Sequence, residues 1–179
     1  THSLNEALTL LGYKVIHYPK DKKTIREIIN GQYKLSILET YDGITDITSA
    51  PFYAQLDKIY PDSKFILTTR NLEDWHRSIK KHYNKKNKLK ELYRNNHKGN
   101  LRKFFRATVY GTHKYNYERM NFVYYQHLKN VKEYFEDKPG KLLIMNIPNG
   151  EEWEKLCPFL NTEIPQMKFP NWNKKYNSY

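Results

Sequence analysis

Cysteine is nearly absent: Cys157 is the only one in 179 residues. That excludes an internal disulfide and any metal site built from several thiolates, and it leads us to expect a reducing, cytoplasmic compartment. On its helical stripe Cys157 reads as a small buried hydrophobe rather than a nucleophile. Long apolar runs are missing too. None approaches the roughly 20 residues that a membrane span needs, and no stretch shows the secretory-signal pattern. The seven His are scattered, so no metal-ligand cluster stands out and no metal is expected. Repeats, low-complexity tracts and interdomain linkers are also lacking, which predicts one domain over residues 1–179.

Acid is scarce in one region. Between Arg77 and Arg106 there are 12 Lys or Arg against the single acid Glu91. The whole chain carries +12, so the remainder is nearly neutral. One basic segment on a neutral body points to local anion binding or to attraction of an acidic substrate. A solvated lysine-rich helix and loop is the alternative.

Aromatics are plentiful, with 16 Tyr, 8 Phe and 3 Trp. Leu4, Ala7, Leu8 and Leu11 form a helical stripe that Gly12 ends. Lys14 to Tyr18 reads as a strand. Thr24-x-x-Glu27 has the spacing of a capping box opening a short helix. Leu35 to Leu38 reads as a second strand, followed by a loop from Glu39 to Asp46. Pro51 suits the first turn of a helix bearing Phe52, Leu56 and Ile59. Phe65 to Thr69 is a β-branched and apolar run, a buried parallel strand. From Leu72 the pattern is helical for about sixty residues, with breaks expected near Asn84–Asn87, Gly99 and Gly111. His127 falls on an apolar face there and reads as core. Lys141 to Ile147 is a fourth strand, and Trp153, Leu156 and Leu160 line a last helix. Pro165, Pro170 and Trp172 anchor the tail. Strands alternating with helices predict an α/β domain with a parallel sheet covered on both faces. Four strands are few for such a sheet, so a further strand is expected ahead of Thr1.

The chain is organised around Lys64–Ser78. Arg70 closes the Phe65–Thr69 strand, Asn71 offers an N-cap, and Glu73 and Asp74 suit the first helical turn. Ser78 lies eight residues after Arg70. A cation at a strand's carboxyl end and a hydroxyl on the next helix can share one anion, where ligands of open α/β sheets bind. Thr1, His2 and Ser3 offer hydroxyls and free N–H groups at a helix start, a second place suited to a phosphate. Two phosphates of one nucleotide could span the two ends.

These residues resemble the nucleotide-dependent sulfotransferases, which use 3′-phosphoadenosine 5′-phosphosulfate. Thr1-His-Ser-Leu with Ala7-Leu and Leu11-Gly-Tyr13 is similar to the segment after that family's Gly-rich 5′-phosphosulfate loop. Tyr41-Asp-Gly-Ile-Thr-Asp46, Phe52-Tyr53, Tyr60-Pro61, Lys64-Phe-Ile-Leu-Thr-x-Arg70, Trp75 and Ser78 resemble its central block. Weaker likenesses continue through Tyr110-Gly111, Tyr124-x-x-His127, Trp153-Glu-Lys-Leu-Cys157 and Phe169-Pro170-x-x-Asn173.

The resemblance implies an α/β, three-layer, P-loop NTPase-like domain with a central parallel sheet flanked by helices. It implies that Arg70 and Ser78 bind the 3′-phosphate, that Thr1 and Ser3 hold the 5′ end, and that Trp75 stacks on adenine or packs. The family's loop glycines and basic residue would precede Thr1. For the base that activates a hydroxyl, the matching position is Asp46, with Asp42 the second candidate. Loop capping is the plain alternative for both. His17 could line the pocket, but reads better as a satisfied structural histidine. The implied partner is a small-molecule or carbohydrate hydroxyl acceptor, with no nucleic acid expected. Two other readings make different predictions. A P-loop kinase-like phosphotransferase would use Glu39 as a metal-holding acid at a strand end. A non-catalytic nucleotide- or nucleic-acid-binding module is the other, and built on the basic segment it would bind DNA or RNA with steep salt dependence.

Overall fold

The computed structural model of the chain describes residues 1–84 and 96–171. Helix α1 (His2–Leu10) leads to strand β1 (Val15–His17), helix α2 (Lys22–Ile29) and strand β2 (Gly43–Thr45). Helix α3 (Tyr53–Ile59), strand β3 (Phe65–Thr68) and helix α4 (Leu72–Asn84) follow. Helices α5 (His97–Tyr110) and α6 (Tyr117–Phe135), strand β4 (Leu142–Met145) and helix α7 (Trp153–Leu160) complete the order. Among the described residues no helix is long and apolar enough to cross a membrane.

The strands form two parallel pairs rather than one continuous sheet. In the first, Val15 lies beside Gly43 and His17 beside Thr45. In the second, Phe65 lies beside Leu142 and Thr68 beside Met145. Alternate strand residues enter opposite apolar clusters, as the period of two requires. One cluster joins Val15, Ile66, Leu143 and Met145 to α1 and α7 through Leu4, Ala7, Trp153 and Leu156. The other joins Ile44 and Phe65 to α2, α3 and α5 through Ile25, Ile28, Leu56 and Phe105. Helices and both strand pairs contribute to each cluster. Cys157 is fully buried in the first cluster, as the stripe predicts.

Several expectations need correction. Leu35–Leu38 is not a strand: Ser36–Glu39 forms a 3₁₀ turn. Side chains take the backbone donors that a ladder would use, with Leu35 N donating to the Tyr60 hydroxyl at 2.9 Å and Ser36 N to Glu27 Oε2 at 3.1 Å. The second strand is instead β2, inside the stretch read as a loop. Gly43 lets it approach β1, since a Cβ there would meet Val15 Cγ1 at 3.4 Å. Thr24 and Glu27 do not form a capping box. Asp21 caps α2 by accepting from Thr24 N at 2.8 Å, because an Asp three residues earlier is at least as good an N-cap. Gly99 does not break the helix but sits in the first turn of α5, its N–H donating to the Asn96 cap at 2.9 Å. Gly111 does end α5, at φ +66°. The rest of the Asn84–Asn87 break, the centre of the basic segment, Trp172 and Asn173 lie outside the described residues.

Candidate functional site

Both β1 and β2 end in a left-handed residue, Tyr18 at φ +51° and Asp46 at φ +84°. Such angles are uncommon outside glycine, and Asp tolerates them better than most residues. A turn holds Asp46 there. Its carbonyl accepts from Ser49 N at 3.2 Å, Ala50 N at 3.3 Å and the Ser49 hydroxyl at 3.1 Å. The carboxylate is thereby presented at the mouth of the strand pair.

Pairing of β1 with β2 sets His17 beside Thr45, and the residue after Thr45 is Asp46. The Thr45 hydroxyl donates to Asn5 Oδ1 at 2.9 Å, so its oxygen receives the His17 Nδ1–H at 3.0 Å. That fixes the tautomer and leaves Nε2 bare, 3.6 Å from Asp46 Oδ2. Burial lowers the His17 pKa to about 4; Asp46 opposes this, while His2 and Lys20 add to it. The His2 ring lies 3.8 Å from that of His17. The bare Nε2 of His17 therefore faces the Asp46 carboxyl oxygen.

The start of α1 meets this end of the strands. The contact between the His2 and His17 rings sets the first turn of α1 against the end of β1, and Thr1, Asp46 and Arg70 line the same cleft. Thr1 makes no side-chain capping bond, its carbonyl accepts from Asn5 N at 2.9 Å, and Ser3 is half-buried two residues on.

Arg70 follows β3, and its carbonyl accepts from the Tyr124 hydroxyl at 2.8 Å. Asn71 Oδ1 caps α4 by accepting from Glu73 N at 2.9 Å. The Arg70 guanidinium has no carboxylate partner among the described residues. Ser78 is exposed on α4, and Trp75 is half-buried with its ring 4.9 Å from Tyr124.

One open cleft of about 2140 Å³ is lined by Thr1, Ser3, Asp42, Asp46, Arg70, Trp75 and Ser78 together. Asp42 has a local role as well, since its Oδ2 accepts from Lys14 N at 2.7 Å and its own N–H donates to Lys14 O at 2.8 Å. Glu39 is exposed in the 3₁₀ turn and not at a strand end. His127 is half-buried on the cleft wall, its pKa lowered by burial, with the Tyr53 ring 6.0 Å away. The basic segment divides. Arg77, Lys80 and Lys81 are exposed on α4, and Arg77 pairs with Asp74 at 2.9 Å. Lys98, Arg102 and Arg106 of α5 line the cleft.

Sequence reasoning missed three contributors: the role of His17 beside Asp46, Tyr124 behind Arg70, and Arg106. Tyr124 lies 54 residues from Arg70, and no local signal links them.

A family model for the sulfotransferase domain matches residues 1–178. No curated protein matches the chain. With the model covering all but the last residue, this chain belongs to the sulfotransferase family, the enzymes of sulfuryl transfer.

Proposed function

We propose that this protein transfers a sulfuryl group from 3′-phosphoadenosine 5′-phosphosulfate to a hydroxyl of a small-molecule or carbohydrate acceptor. The observation that carries the reading is that the Arg70 cation after β3 and the Asp46–His17 pair after β2 line one cleft. A single three-layer P-loop-type domain over residues 1–179, in a reducing cytoplasmic setting, goes with it. Helices packed with parallel strands in both clusters and one buried thiol support these two points.

The residues suit the donor. Arg70 lacks a carboxylate partner among the described residues, so its charge is available to a 3′-phosphate, with the Ser78 hydroxyl as second donor. Thr1 and Ser3 add hydroxyls and N–H groups at the α1 start for the 5′ end. Trp75 offers a ring face to the adenine. When bound, the phosphosulfate supplies an electrophilic sulfur and a stable leaving group.

Asp46 acts as the base. As the acceptor oxygen bonds to sulfur, the bond from sulfur to the 5′-phosphate oxygen breaks and 3′-phosphoadenosine 5′-phosphate leaves with that electron pair, while the acceptor O–H bond breaks and its proton passes to Asp46 Oδ2. There it is shared with His17 Nε2, which stands 3.6 Å away with a lone pair to offer. The Asn5–Thr45 relay keeps that lone pair aimed at Asp46. Asp42 is the second candidate, though one of its oxygens is engaged by Lys14 N.

The test is transfer of a radiolabelled sulfuryl group to a panel of phenols, alcohols and sugars. We expect labelled product from the wild type and almost none from Asp46→Asn, with binding of 3′-phosphoadenosine 5′-phosphate unchanged. Transfer at wild-type rate by Asp46→Asn would remove the base from its role.

A further inference from the structure

Arg106 is a cation buried to 3% exposure on α5. Its guanidinium lies 3.9 Å from the centre of the Tyr83 ring, and Nη1 donates to His113 O at 2.7 Å. The other terminal nitrogen, Nη2, is buried with no hydrogen-bond partner. No carboxylate pairs with Arg106 among the described residues. A buried cation is costly unless an opposite charge or several acceptors compensate it. One carbonyl and one ring face do so only in part.

The surroundings add to the demand for an anion. Lys98 and Arg102 share this wall of the cleft with Arg106. Tyr83 and Tyr110, both raised by burial, stay neutral and keep their hydroxyl protons. Asp46, Tyr110 and Arg106 line the same cleft, so the buried cation and the proposed base face one space.

We propose that Arg106 anchors an anionic group of the acceptor, so that the acceptor is a hydroxyl compound bearing a carboxylate, sulfate or phosphate ester. This rests on reading Asp46 as the base, since it sets the acceptor between Asp46 and Arg106. The unpartnered Nη2 receives the anion, and the Tyr83 ring holds the guanidinium plane in place. A neutral acceptor would leave Nη2 buried without a partner, which is a source of discrimination.

The test uses two matched pairs of probes, 4-hydroxybenzoate against 4-hydroxybenzamide and glucuronate against glucose. Binding is measured by calorimetry on the full chain, with and without 3′-phosphoadenosine 5′-phosphate. We expect the anionic member of at least one pair to bind about tenfold more tightly. Arg106→Gln, which can still hydrogen-bond to His113 O, should abolish that preference and leave the neutral member unchanged. Arg106→Lys should keep part of it. No preference in the wild type for either pair overturns the proposal, and so does a preference that survives in Arg106→Gln. If thermal melts show the Gln variant unfolded, the wild-type comparison and the Lys variant decide. Loss of the preference in Arg106→Gln, in a protein that fails to bind 3′-phosphoadenosine 5′-phosphate, would leave the anion site standing and remove the donor reading alone.

Discussion

His17 Nε2 and Asp46 Oδ2 face each other at 3.6 Å across the ends of two paired strands. The contact is not an ion pair at neutral pH, because His17 is neutral well below its ordinary value. It is a pair of acceptors poised to hold one incoming proton. Register places it there: β1 and β2 align His17 with Thr45, and the left-handed turn at Asp46 swings the next carboxylate alongside.

Asp46→Asn tests the chemical half of this arrangement. Asn tolerates positive φ as Asp does, so the turn should survive and the melting temperature should change little. Labelled transfer should fall by about 10²- to 10⁴-fold, the usual contribution of a positioned base. Asp46→Val should instead destabilise the fold, because a β-branched residue fits a φ of +84° poorly. Equal stability of the two variants, by thermal unfolding, would contradict the strained-turn account.

His17 makes stability depend on pH. The unfolded chain takes up a proton there below 6.5, whereas the folded chain resists until about 4. Between those values the unfolded state holds more protons, so stability falls as pH drops from 6.5 to 4 and rises in the opposite direction. The full effect amounts to about 3 kcal/mol at most. Urea unfolding across this range should give a shallower pH slope for His17→Asn than for the wild type. Identical slopes would show that His17 titrates alike in both states.

Asp57 ties α3 to the segment after α6. It is 7% exposed and lies 2.7 Å from Lys138 Nζ and 2.7 Å from Lys141 Nζ, with the Tyr134 hydroxyl donating at 3.1 Å. Burial raises its pKa, but the hydrogen bonds from Lys138, Lys141 and Tyr134 outweigh this and hold it below 3.8. Its contribution is therefore fully present above 3.8 and is lost as pH falls below that toward the depressed native value. Asp57→Ala should cost about 2 kcal/mol at neutral pH, or roughly 4–8 °C in melting temperature. The gap between variant and wild type should close in acid, and a constant gap would contradict the ionic account.

What was legible in the sequence was local. The runs Val15–His17, Phe65–Thr68 and Leu142–Met145 announce strands by their own composition, though apart from Met145 their residues are half-buried rather than buried. Asn71, two acids and the Arg70–Ser78 spacing mark a strand–helix junction without help from elsewhere. What was not legible depends on distant partners. Leu35–Leu38 is as apolar as a strand, yet the Tyr60 hydroxyl, 25 residues from Leu35, draws its backbone away from pairing. Gly43–Thr45 becomes a strand only because β1 lies beside it. The His17–Thr45 hydrogen bond spans 28 residues, so the protonation of His17 could not be read from its neighbours. Arg106 is one cation among twelve in its segment, and among the described residues burial distinguishes it.

Arg70 is proposed to read the 3′-phosphate of a sulfuryl donor. Calorimetric titration of the chain with 3′-phosphoadenosine 5′-phosphate, set beside adenosine 5′-phosphate, tests it most directly. We predict tight binding of the bisphosphate by the wild type. Arg70→Ala should weaken it by about 10- to 100-fold, with little loss for the analogue lacking the 3′-phosphate. No heat from the wild type, or an equal loss for both ligands in Arg70→Ala, would contradict the account.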